Sequence, residues 1–157
     1  MSERSTTAGL EVRKSVVVEG TPERAFAVFT ERPMDWWPPH HVLVRRPRVA
    51  ITFEPRVGGR YYEVDAEGEE ADWGRVLVWE PPHRLAMTWR VNGHWQRIGD
   101  DEASEIEVTF VPLDSGRTRV ELAHLHLDRL GDTAEAMMRA LDGPSPGETL
   151  ASFARAV

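Results

Sequence analysis

Cysteine is absent from this chain of 157 residues, which excludes disulfides, thiolate catalysis and cysteine zinc sites. The absence fits a reducing, cytoplasmic setting. No apolar run approaches the roughly 20 residues that a membrane-spanning helix needs. Residues 1–9 are small and polar, lack the apolar stretch of a leader, and read as a frayed terminus. Basic charge is scarce. Nineteen Lys and Arg face 26 Asp and Glu, and the net charge of -7 argues against a nucleic-acid partner. The densest basic stretch, Arg45, Arg46 and Arg48, is broken by Pro47 and reads as a solvated loop leading into a strand. The Gly-x-Ser-x-Gly elbow of hydrolases is missing, and no serine stands where a nucleophile would. Val57-Gly58-Gly59-Arg60 has no Lys-Ser/Thr after it and runs into a strand, so it is not a phosphate loop. No repeat and no long linker divides the chain, and residues 10–157 read as one domain.

The patterning that is present alternates with period two. Leu10, Val12, Lys14, Val16 and Val18 alternate with polar residues and predict a strand that ends at Gly20. Thr21-Pro22-Glu23-Arg24 carries the marks of a helix start: an N-cap, Pro at the first helical position and acid in the first turn. Ala25, Phe26, Val28 and Phe29 give that helix its apolar side, and Pro33 stops it. After a Pro-broken connector, Asp35 to His41, strands follow in series. Val49, Ile51 and Phe53 form one phase. The strand from Arg60 to Asp65 follows the Gly58-Gly59 turn. The strand from Asp72 to Glu80 has a nearly continuous apolar centre, Val76 to Trp79, that suits cover on both faces. Leu85, Met87 and Trp89 form the next phase, then Ile106, Val108 and Phe110, then Val120, Leu122, His124 and His126. Asp132 caps a helical stretch through Ala134, Met137, Met138 and Leu141. A last helix restarts at Ser145-Pro146 and buries Leu150, Phe153, Ala154 and Val157. Strands joined by short turns make an antiparallel meander. The expected fold is therefore α+β: a curved antiparallel sheet of six to seven strands wrapped around a C-terminal helix, with short helices after the first strand.

The residues Glu54 to Glu63, Asp72-Trp73-Gly74-Arg75 through Pro81-Pro82, Arg84-Leu85 and Trp89 resemble the SRPBCC (START-like, helix-grip) superfamily. They most resemble its branch named for the activator of the heat-shock chaperone ATPase. Asp35-Trp36-Trp37-Pro38, Val120 to His124 and Leu150 to Ala154 match the same pattern at an early loop, the last strand and the final helix. The resemblance implies a hydrophobic cavity between sheet and helix and implies no reaction; no cofactor is expected. Its members include lipid carriers, polyketide cyclases and co-chaperones, and a shared fold does not choose among them. Two positions depart from the family pattern. The Gly-Trp that often precedes the last helix is replaced by Gly143-Pro144-Ser145-Pro146, and the glycine two residues past the last-strand histidine is His126.

Six tryptophans suggest a pocket wall able to stack a ring, or an aromatic core. Trp73, Leu77 and Trp79 share one phase of their strand. Trp36, Trp37 and Trp89 are the strongest pocket candidates, with Phe53, Tyr61, Trp73, Trp79, Met87, His124, His126 and Phe153 completing the expected ligand wall. His124 and His126, two apart on one strand face, can act as acid and base or hydrogen-bond the backbone. A metal would need a third ligand, and none stands at a diagnostic spacing. Asp35 beside Trp36 is either a general acid or a turn residue. Glu63 is either an acid-base group or a cross-strand partner of Arg60 or Arg75. The leading expectation is a binder of a small hydrophobic or aromatic molecule. The alternatives are an acid-base enzyme of the polyketide cyclase kind using His124, and an interaction module with a chaperone or a second copy as partner.

Overall fold

The computed structural model describes residues 11–37, 42–92, 94, 96–99, 101–114, 116–137 and 144–157, of which 144–149 are described in backbone alone. The frayed terminus expected over residues 1–9, the His40-His41 pair, Met138 and Leu141 lie outside the described residues.

Strand β1, Val12–Glu19, leads through Gly20 into helix α1, Pro22–Glu31. The Thr21 hydroxyl accepts the backbone N–H of Arg24 at 3.1 Å, so the cap operates as its sequence predicts. The helix buries Ala25, Phe26, Val28 and Phe29, and Pro33 opens a 3₁₀ turn, Pro33–Asp35. Strands β2 (Arg48–Phe53), β3 (Arg60–Asp65), β4 (Glu70–Glu80), β5 (Arg84–Trp89), β6 (Ser104–Asp114) and β7 (Arg117–Leu125) follow as an antiparallel meander. The spatial order is β1-β7-β6-β5-β4-β3-β2, seven strands with β1 closing onto β7. A 3₁₀ segment, Leu127–Thr133, and a helical turn at 134–137 follow β7. Helix α2, Pro144–Ala156, ends the chain and packs on β1 and α1. This is the helix-grip arrangement: a curled sheet with one face on the core.

Four register shifts interrupt the ladders; one falls near the end of β6, between Pro112 and Asp114, and the other three alter the phases of β4 and β2. On β4 the register steps from Tyr61↔Gly74 to Tyr62↔Asp72 and from Val76↔Met87 to Val78↔Ala86, so Trp73 and Leu77 are each an extra residue. An extra residue bends its strand and turns the side chains beyond it to the other face. Trp73 and Val76 therefore both enter the core, while Leu77 is 38% exposed. This corrects two expectations: Leu77 does not share the inward phase of Trp73 and Trp79, and the centre of β4 is covered on one face only. A similar step on β2 between Arg48 and Ala50 leaves Val49 56% exposed, out of phase with buried Ile51 and Phe53.

Gly74 lets three strands approach closely. A Cβ built there would sit 2.1 Å from the Thr88 carbonyl oxygen and 2.8 Å from the Tyr61 ring. The Tyr61 hydroxyl donates to that same carbonyl, and the Thr88 hydroxyl accepts the N–H of Arg75 at 2.9 Å. The Trp-Gly-Arg motif thus couples β3, β4 and β5 through backbone contact as well as side-chain packing.

Candidate functional site

A continuous series of aromatic rings runs through the core. Phe29 on α1 lies 4.6 Å from Trp36, centroid to centroid, and Trp36 lies 5.6 Å from Trp37. Trp37 is 5.2 Å from Trp73, Trp73 stacks on Trp89 at 4.8 Å, and Trp89 meets the edge of the His124 ring at 5.7 Å. Phe153 on α2 closes on Trp36 at 5.6 Å, and Phe53 stacks on Tyr61 at 5.2 Å. Trp36, Trp37, Phe53, Tyr61, Trp73, Met87, Trp89, His124 and Phe153 are all buried. Trp79 stands further along β4, half-buried against Phe26 at 5.2 Å.

The series ends on a polar pair. His124 Nε2 lies 2.7 Å from the Ser104 hydroxyl, and both side chains are buried. Burial disfavours the imidazolium, and the His124 pKa is pushed down to about 3, so the ring is neutral across the physiological range. Ser104 stands in no sequence motif. Its one signal is its phase, since it alternates inward with Ile106, Val108 and Phe110 on β6. His126 does not join this pair. β7 ends at Leu125, and His126 takes a left-handed conformation with φ 58° that turns it away from the strand face. Its imidazole is partly exposed, with Nε2 4.0 Å from Glu105. Among the described residues, no group of three His, Cys, Asp or Glu is placed to hold a metal ion.

Glu63 and Asp35 take other parts than acid and base. Glu63 is fully buried and its two oxygens accept four donors. Oε2 accepts the N–H groups of Leu43 and Val44 at 2.5 and 2.7 Å, and Oε1 accepts Arg48 at 3.0 Å and the Trp73 indole at 2.9 Å. With both oxygens doubly occupied, the carboxylate is an anchor for the segment before β2. Its cationic partner is Arg48, and Arg60 pairs instead with Asp72 and Glu70 at 2.7 and 2.8 Å. The Asp35 carboxylate points outward to Arg32 at 2.8 Å. Trp73 and Trp89 stand between Glu63 and His124, so the three candidate acid-base groups do not converge. Burial pushes the Tyr61 phenol well above its ordinary range, so the hydroxyl stays protonated.

Trp36 and Trp37 also face an open cleft of about 670 Å³ between the 3₁₀ turn, the segment before β2, and α2. Met34, Val42 and Val44 add apolar wall, and Asp35, Arg45, Arg46, Arg48 and Ser152 add polar groups. The size suits a drug-sized ligand.

A family model described as Activator of Hsp90 ATPase homolog 1-like protein matches residues 19–143. Comparison with curated sequences finds no match. Among solved structures, the anthrahydroquino-γ-pyrone synthase Txn09 is 64% identical, with 94% of this chain and 96% of that one covered and a TM-score of 0.67. The self-sacrificing resistance protein CalC from Micromonospora echinospora is 34% identical, covers 92% of each chain and has a TM-score of 0.66. A protein from Nitrosomonas europaea, 16% identical with 96% and 94% covered and a TM-score of 0.62, shares the fold alone.

Proposed function

We propose, for a chain that belongs to the Activator of Hsp90 ATPase homolog 1-like family, that it binds a planar aromatic polyketide and closes a γ-pyrone ring on it. The observation that carries this reading is the unbroken run of indoles, Trp36, Trp37, Trp73 and Trp89, between the open cleft and the buried His124–Ser104 pair. Indole faces stack on planar rings, and an apolar wall with few polar groups is what a ring ligand requires. The likeness to a γ-pyrone synthase at 64% identity supports the choice of ring and of reaction.

Closing such a ring needs only proton movement. A phenol oxygen forms a bond to a side-chain carbonyl carbon as its proton leaves, the carbonyl oxygen takes up a proton, and the resulting hemiketal loses water. In this reading the neutral imidazole of His124 donates a hydrogen bond to the carbonyl oxygen and polarises it, and the Ser104 hydroxyl passes the proton. A second reading, binding without turnover, is favoured by the position of Trp37, Trp73 and Trp89, whose rings separate the cleft from His124.

The test is incubation with an anthrahydroquinone bearing a 1,3-diketone side chain, followed by chromatography for the dehydrated product. The expected result is product from the native chain. His124→Gln should lower kcat by about a hundredfold or more, with ring binding, read by tryptophan quenching, retained. Ring binding without product would leave the second reading standing. Absence of both would remove the proposal.

A further inference from the structure

The cleft at Trp36 and Trp37 holds an uneven distribution of charge. Arg46 lies 3.4, 3.1 and 3.6 Å from Asp65, Glu67 and Glu69, and Arg48 lies 3.0 Å from Glu63. The acid of the cleft, Asp35, is held by Arg32 at 2.8 Å. Arg45 is exposed and, among the described residues, has no carboxylate within ion-pair distance. Its backbone is nonetheless fixed on both sides. The N–H groups of Leu43 and Val44 are held by Glu63, and the Pro47 carbonyl accepts the N–H of Ala66 at 2.9 Å. One guanidinium is thus presented from a tethered segment beside two indoles. The same cleft exposes Met34 and Val42, by 44% and 39%, a concentration of apolar side chains at a wet surface.

We infer that this cleft is a subsite for a planar aromatic anion, with the Arg45 guanidinium pairing a carboxylate or ionised phenol of the ligand while exposed Met34 and Val42, with the edges of the largely buried Trp36 and Trp37, form the apolar wall for its ring. The inference rests on the ring-binding reading above and adds the charge of the ligand to it. A guanidinium matches a carboxylate with parallel N–H donors and makes stronger hydrogen bonds to anions than to neutral acceptors. The overall charge of -7 repels anions, so a preference for one has to arise locally.

Quenching of tryptophan emission by anthraquinone-2-carboxylate and by its neutral carboxamide tests this on the native chain, on Arg45→Gln and on Arg46→Gln. The native chain should bind the carboxylate about tenfold or more tightly than the carboxamide. Arg45→Gln should bring the two affinities together without weakening the carboxamide, and Arg46→Gln should keep the preference. Equal affinities in the native chain, or a preference that survives Arg45→Gln, would overturn the inference and leave ring binding intact. If neither compound binds, the inference falls together with the reading it rests on.

Discussion

His126 shows how one backbone angle decides what a side chain can do. The period of two carries it onto the face of His124, but φ of 58° puts it in the left-handed region that costs an ordinary side chain about 1–2 kcal/mol. Glycine is free of that cost, which gives a physical reason for the glycine of the family pattern at this position. His126→Gly should therefore raise stability by about 1 kcal/mol or leave it unchanged, since the partly exposed imidazole gives up only a long contact to Glu105. Urea unfolding measures this, and a loss of more than about 1 kcal/mol would mean that the imidazole is held by something else. The same scale explains what was legible. Alternation places Met87, Trp89, Ile106, Val108, Phe110, Val120 and His124 on the inner face because the β5–β6 and β6–β7 ladders stay in register through these positions, the one shift falling beyond them between Pro112 and Asp114. It fails at Val49 and Leu77, each an inserted residue that no periodic pattern marks. An inward serine such as Ser104 carries no motif, and Arg45, in a basic stretch that reads as a solvated loop, is set apart from Arg46 and Arg48 only by the carboxylates that the fold brings to those two.

Among the elements, the segment from Val42 to Pro47 has no regular structure of its own and depends on β3. Its attachment is the Glu63 carboxylate, whose donors lie up to 20 residues away in the chain, so only the fold brings them together. Glu63→Gln keeps the shape of the side chain but replaces one acceptor oxygen with an amide donor. That donor would face N–H groups already present, and the carboxylate opposite Arg48, whose side chain is 8% exposed, would be lost. Removing one side of a buried ion pair costs about 3–5 kcal/mol. The expected result is a loss of that order in chemical denaturation, with faster amide hydrogen exchange at Leu43 and Val44 than at the β6–β7 ladder. A loss below about 1 kcal/mol would show that the segment is held by other contacts. The element also joins the two halves of the proposed site, because the carboxylate that tethers the Arg45 segment accepts the indole N–H of Trp73.

For the molecule as a whole, the His124–Ser104 pair links the interior of the sheet to solution pH. The pair sits where β7 lies between β1 and β6, with Val12 and Ile106 opposite His124 across the two ladders. The folded imidazole has its pKa pushed down to about 3 by burial, against about 6.5 in an unfolded chain. Between these values the unfolded state binds the extra proton and the folded state does not, so stability increases with pH across that window. The contribution is fully present above pH 6.5 and is lost as pH falls towards 3. From pH 7 to pH 5, above the range where ordinary carboxylates titrate, this one group should remove about 2 kcal/mol. Unfolding by urea at the two pH values should show that fall, and His124→Gln should flatten it while titrating nothing in its place. The imidazole resonances followed by NMR should show no midpoint for His124 above pH 5. A midpoint near 6 together with a flat stability profile would mean that water reaches the ring freely. It would also deprive the proposed carbonyl-polarising role of the neutral, desolvated imidazole on which it depends.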